Sequence, residues 1–100
     1  MFIERNKKHI TYILECRDGS LYTGYTNNLM RRLKMHENGK GAKYTRGRGP
    51  FQLKFWLSFE TKREAMQKEY QIKQMTKQEK QLLIEKYQKG LVIDEDTEKL

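Results

Sequence analysis

Residues 9 to 25, HITYILEC-RDGS-LYTGY, constrain the fold more than any other stretch. His9 to Cys16 is dense in β-branched and aromatic residues, Leu21 to Tyr25 is similar, and both read as strands. Asp18-Gly19 between them marks a turn, so the pair is a hairpin. The length of its loop decides which side chains share a face. A two- or four-residue loop centred on Asp18-Gly19 pairs position 12 with 25 and puts Tyr22 on the face opposite Tyr12. A three-residue loop, Arg17-Asp18-Gly19, pairs 12 with 24 and 14 with 22, and both tyrosines then face the same way. Glycine at the third loop position suits the bulged form of that turn. Both registers are open on the sequence.

The rest of the chain adds helices to this hairpin. Thr26 or Asn27 is a good N-cap for a helix reaching about Asn38, which Gly39 would end. Residues 39 to 50, GKGAKYTRGRGP, hold four glycines and the only proline, and read as a loop. FQLKFWLSF, residues 51 to 59, alternates well enough for a third strand. Thr61 with Glu64 and Thr76 with Glu79 are capping boxes, opening helices to about Gln74 and Lys89, the second closed by Gly90. The order β-β-α-β-α-α is an α+β class: a small three-stranded antiparallel sheet flanked by helices. The 100 residues fit one domain with one modest core. That domain is expected over 1–90, with 91–100 as an acidic, loose tail.

Charge narrows the partner. The chain carries a net +8. Residues 31 to 54 hold Arg31, Arg32, Lys34, Lys40, Lys43, Arg46, Arg48 and Lys54 against Glu37 alone, whereas the last ten hold four acids against Lys99. One segment therefore carries most of the excess, and it favours nucleic acid as the anionic partner. Cys16 is the only cysteine, which excludes an intrachain disulfide and a cysteine-type zinc site. With no apolar run of membrane-spanning length and no signal-peptide core, the expectation is a cytoplasmic monomer that does not engage membranes.

Two helices each turn a charged group toward their apolar stripe. Leu29, Arg32, Leu33 and His36 fall within roughly 100° of one another on a helix, while Arg31 and Lys34 point away. Arg32 and His36 are one turn apart and can reach the same spot. Either Arg32 snorkels from the stripe's edge and His36 is a polar core residue, or both line a site. On the next helix Glu69 shares a stripe with Ala65 and Ile72. It either pairs with Lys73 at i,i+4 or serves a metal, because a buried carboxylate left alone is costly.

Taken together, these residues resemble the GIY-YIG nuclease family. Its first tripeptide aligns with Ile10-Thr11-Tyr12 and its second with Tyr22-Thr23-Gly24. YTGYTNNLMRRLKMHENGKGAKYT is similar to the small stand-alone bacterial members, and EAMQKEYQIKQMTKQEKQLLI continues the likeness, so it spans roughly residues 8 to 86. Ile10, Thr11 and Thr23 depart from the name motif at positions read as backbone-like in role. No clear counterpart exists for the late polar residue, often asparagine, that many members use.

The resemblance implies a GIY-YIG-like fold and a metal-dependent endonuclease hydrolysing phosphodiester bonds. Tyr12, Tyr22, Arg32 and His36 would occupy the catalytic positions and Glu69 the metal position. These types suit the reaction. Arginine stays charged and matches phosphate with a planar fork. One carboxylate can anchor Mg²⁺ (or Mn²⁺), because the ion keeps most of its waters. Tyr12 or His36 would take the proton of the attacking water, with Tyr12 as base and His36 assisting preferred. Tyr22 would position the phosphate or that water. Lys40, Lys43, Arg46 and Arg48 would track a phosphate backbone, with Tyr44 stacking on a base. Such contacts supply affinity without sequence preference, so selectivity is expected for shapes such as branches, flaps or nicks, the substrates of DNA repair. DNA is expected ahead of RNA. The alternative is a non-catalytic nucleic-acid-binding module on the same scaffold.

Overall fold

The computed structural model describes residues 7–90. Its elements are β1 (His9–Glu15), β2 (Leu21–Thr26), α1 (Leu29–Glu37), β3 (Gln52–Phe59), α2 (Lys62–Lys73) and α3 (Lys77–Gln88). The strands form one antiparallel sheet in the order β2-β1-β3. The architecture is therefore the expected α+β one. The expected acidic tail at 91–100 lies outside the described residues. Among the described residues, no helix is long and apolar enough to cross a membrane.

The hairpin adopts the three-residue loop. Cys16 donates its N–H to Ser20 O at 2.9 Å, and Gly19, at φ +85°, donates to Cys16 O. A left-handed residue at that position is what the bulged turn requires. Tyr12 consequently pairs with Gly24 and Leu14 with Tyr22, so both tyrosines project from one face. On the other side β1 meets β3 through a bulge: Ile13 faces Phe55 and Leu14 faces Leu53, leaving Lys54 as the extra residue.

The first helix starts later than its sequence suggests. Thr26 still belongs to the strand ladder, opposite Ile10, so it cannot cap. Its Oγ1 instead accepts from the N–H of Asn28, and Asn28 is the N-cap, accepting from Arg31 N. At the far end Gly39 N donates to His36 O and Lys40 N to Met35 O, the paired bonds of a Schellman stop. Both expected capping boxes are formed, at Thr61/Glu64 and Thr76/Glu79.

The sheet's two faces do different work. On one, Ile13 and Phe55 pack with Ile72 of α2 and Ile84 of α3, and Phe55 meets Tyr87 at 4.9 Å between centroids. Burying Ile13, Phe55 and Ile72 contributes about 1.5–3 kcal/mol each relative to exposure. Cys16 is buried as a small apolar group. Two positions read as backbone-like, Thr11 and Thr23, bury their side chains on this side. Thr11 donates its hydroxyl to Ala65 O of α2 at 2.7 Å, and Thr23 is buried with its hydroxyl unpartnered. The other face, carrying Tyr12, Leu14 and Tyr22, meets His36 of α1.

Candidate active site

Strand alternation and the hairpin register place Tyr12 and Tyr22 side by side, with ring centroids 6.3 Å apart. Gly24, opposite Tyr12, makes the arrangement possible. A Cβ there would lie 2.6 Å from Cζ and Oη of Tyr12 and 2.9 Å from Cε2 of Tyr22. Tyr12 thus leans across the backbone of β2, and only glycine leaves room.

From α1, Arg32 and His36 reach the same place, one turn apart as the helical stripe requires. His36 is almost wholly buried, at 1% exposure. Its Nε2 lies 2.7 Å from Tyr12 Oη, and its Nδ1 lies 2.8 Å from Thr45 Oγ1. The ring also meets Tyr22 and Phe51 edge-on, at 5.4 and 5.9 Å. The Arg32 guanidinium interacts with the hydroxyls of both Tyr12 and Tyr22. Its Nε–H is buried without a partner.

From α2, Glu69 completes the group. Its side chain is 13% exposed and pairs with Lys73 at 3.3 Å, so the expected i,i+4 pair is present. Its negative charge is nonetheless felt at Tyr12, where it opposes phenolate formation. Among the described residues, no three His, Cys, Asp or Glu side chains cluster as a metal cage. A lone carboxylate of hard oxygens remains a fitting donor set for Mg²⁺ or Mn²⁺, which take one or two carboxylates and keep several waters.

Burial sets the protonation states. It is the main force pushing Tyr12 up to about 12, with the Arg32 interaction pulling the other way and Coulombic interactions with Tyr22 and Glu69 adding to the rise. Burial, aided by the nearby Arg32 charge, lowers His36 from 6.5 to about 4. Burial also works against the Arg32 charge, but its contacts with Tyr12 and Tyr22 outweigh this and hold its pKa above the usual value. At neutral pH the free site therefore holds a neutral phenol, a neutral imidazole and a guanidinium cation.

The His36 shift has a consequence for stability. In the unfolded chain the imidazole takes a proton as pH falls below 6.5, whereas in the fold it does so only near 4. The unfolded state binds more protons between those values, so folding stability falls on acidification through that window. The displacement corresponds to about 3 kcal/mol. Urea unfolding of the wild type at pH 7 and pH 4 should show a loss of that order, and His36→Gln should flatten the slope. Asp18, whose carboxyl is held below its ordinary 3.8 by Ser20 hydrogen bonds and then Arg48, loses its contribution only at lower pH. An unchanged midpoint between pH 7 and pH 4 would contradict a buried, neutral His36.

The basic loop divides. Lys40, Lys43 and Arg46 are exposed, as nucleic-acid contacts should be. Tyr44, also exposed, and Arg48 make contacts within the protein as well. Tyr44 stacks on Tyr22 at 5.9 Å and 22°, and Arg48 sits 4.5 Å from the Tyr44 ring centre. Arg48 also pairs with Asp18 at 2.6 Å, and its carbonyl accepts from Arg17 N. The loop is thereby tied to the hairpin turn. Phe51, Thr45 and Gly41 carry no local signal of a site role, because each acquires it through contact with a distant His36.

The pattern of the GIY-YIG catalytic domain matches residues 8–88. The UPF0213 protein OB0043 of Oceanobacillus iheyensis is 64% identical over 80 residues, covering 80% of this chain and 93% of its own. In solution NMR structures, the UPF0213 protein BH0048 from Bacillus halodurans is similar at 55% identity and a TM-score of 0.52, over 77% of this chain and 82% of that one. EF2693 from E. faecalis is similar at 44% identity and a TM-score of 0.53, over 81% and 88%.

Proposed function

Because the chain belongs to the GIY-YIG family, a family of nucleases, we propose that it is a metal-dependent endonuclease that hydrolyses phosphodiester bonds in DNA. One observation carries this reading: Tyr22, Arg32, His36 and Glu69, from β2, α1 and α2, all lie within interaction range of Tyr12 on β1. A purely structural role does not call for a half-buried arginine, a buried histidine and a shielded carboxylate around two tyrosine hydroxyls, since each costs desolvation.

The chemistry follows from the protonation states. Arg32 stays charged and its unpartnered Nε–H is a donor in reserve, so it suits the oxygens of a phosphodiester. Tyr12 keeps its proton in the free protein and cannot act as base by itself. It can take a proton from an attacking water while passing its own to His36, the neutral acceptor 2.7 Å away. An anionic substrate on Arg32 offsets the positive charge that helps keep His36 unprotonated, so binding raises the basicity of the relay's terminus. Tyr22, beside both groups, orients the phosphate or the water. Glu69 would hold the divalent ion, which when bound supplies Lewis-acid polarisation of the phosphoryl group. Lys40, Lys43 and Arg46 supply sequence-independent affinity along the strand.

The test is a substrate panel of branched, flapped, nicked and single-stranded DNA with matching RNA, incubated with the wild type in Mg²⁺ or Mn²⁺ and in chelator. The expected result is nicking of DNA that stops in chelator, with binding retained. Binding without cleavage of any substrate would replace the enzyme by a nucleic-acid-binding module.

A further inference from the structure

Thr45 is 1% exposed in an otherwise largely exposed segment, and three polar groups surround its hydroxyl. Its Oγ1 lies 2.8 Å from His36 Nδ1, 3.0 Å from Ala42 O and 3.3 Å from Ala42 N. Gly41, four residues earlier, lies against the same imidazole: a Cβ there would overlap Nδ1, Cε1 and Cγ of His36. The glycine-rich loop thus closes on the ring from two sides.

We infer that Thr45 is a positioning residue that holds His36 as the Nδ1–H tautomer, with Nε2 free to accept the Tyr12 phenol proton, and that Gly41 is the space the ring needs to reach it. Hydrogen-bond accounting carries this. The Arg32 guanidinium beside the phenol oxygen can only donate, so it offers no acceptor for the phenol proton. The phenol proton then needs an acceptor, and among the described contacts His36 Nε2 is the one within reach. If Nε2 carried a hydrogen, a fully buried phenol proton would be left unsatisfied, which costs about 1–3 kcal/mol. With Nε2 as acceptor, Nδ1 must carry the hydrogen of the neutral ring and donate to Thr45 Oγ1. That oxygen has one hydrogen and two lone pairs. It donates to Ala42 O and accepts from His36 Nδ1 and Ala42 N, so every group is satisfied. The low proton affinity of His36 agrees with a ring that is neutral at physiological pH.

The consequence for cleavage rests on the nuclease reading, whereas the tautomer does not, and the experiment separates them. The chain has two histidines, so a long-range ¹H–¹⁵N spectrum of histidine-labelled protein, with His9→Gln for assignment, reads His36 directly. At neutral pH Nδ1 should appear protonated and Nε2 as the bare nitrogen. Thr45→Val should mix or invert the tautomers and lower kcat about 10- to 100-fold at unchanged DNA affinity, the usual cost of losing a partner behind a functional histidine. Thr45→Ser, which keeps the hydroxyl, should restore both readouts. A wild-type spectrum with the proton on Nε2 overturns the inference whether or not any variant folds, as does a Thr45→Val protein that keeps Nδ1–H and full kcat. A tautomer that shifts in a protein cleaving nothing would uphold Thr45 and sink the nuclease reading alone.

Discussion

Tyr12→Phe is expected to lower the rate constant of DNA cleavage by about 10²–10⁴ while leaving DNA affinity unchanged, the span by which a positioned proton carrier accelerates such steps. The substitution removes one oxygen and keeps the ring, so the packing around the fully buried Tyr12 does not collapse. Two groups lose a partner. His36 Nε2 loses its hydrogen-bond partner, and Arg32 loses the nearby phenol oxygen. The stability change combines those losses with the gain of burying a phenyl in place of a phenol, and should stay within about 1–3 kcal/mol. Affinity should be unaffected, because the proposed phosphate contacts are Lys40, Lys43 and Arg46, which are exposed in the loop. Single-turnover cleavage and fluorescence anisotropy on one DNA separate the two quantities. Cleavage at the wild-type rate would remove Tyr12 from the chemistry and leave His36 to act on water alone.

Local chemistry made most of the fold legible. The capping boxes at Thr61/Glu64 and Thr76/Glu79 place α2 and α3 to within a residue, because each is a self-contained pair of hydrogen bonds. The hairpin offered two registers, and the glycine at the third loop position pointed to the one adopted. What escaped was whatever depends on a distant partner. Thr26 looked like a cap until its ladder pairing with Ile10 was known, and the bulge at Lys54 exists only against Ile13 and Leu14.

The site divides along the same line. The inward placement of Arg32, His36 and Glu69 was readable from helical periodicity, since one face of a helix is a property of spacing alone. The packing of the basic loop was not readable. Its charge suggests a surface for nucleic acid, but carries no sign that Arg48 pairs with Asp18 or that Tyr44 stacks on Tyr22. Thr45, a small polar residue among glycines and lysines, gives no periodic signal, and its contact with His36 spans nine residues.

Glu69→Ala tests the hydrolytic site most directly. The side chain is shielded, its oxygens are the fitting donors for a divalent ion, and its charge reaches Tyr12. Removing it frees Lys73, which is half-exposed and loses only a pair worth a few tenths of a kcal/mol, so the fold survives. Loss of the proposed ion would forfeit several kcal/mol of charge stabilisation in the transition state, which is about 10³-fold or more in rate. The measurement is Mg²⁺-dependent cleavage of a branched DNA by wild type and Glu69→Ala, with anisotropy as the binding control. Cleavage by the wild type, none above background by the variant, and equal affinity for both is the predicted result. Equal cleavage by the two proteins would contradict it.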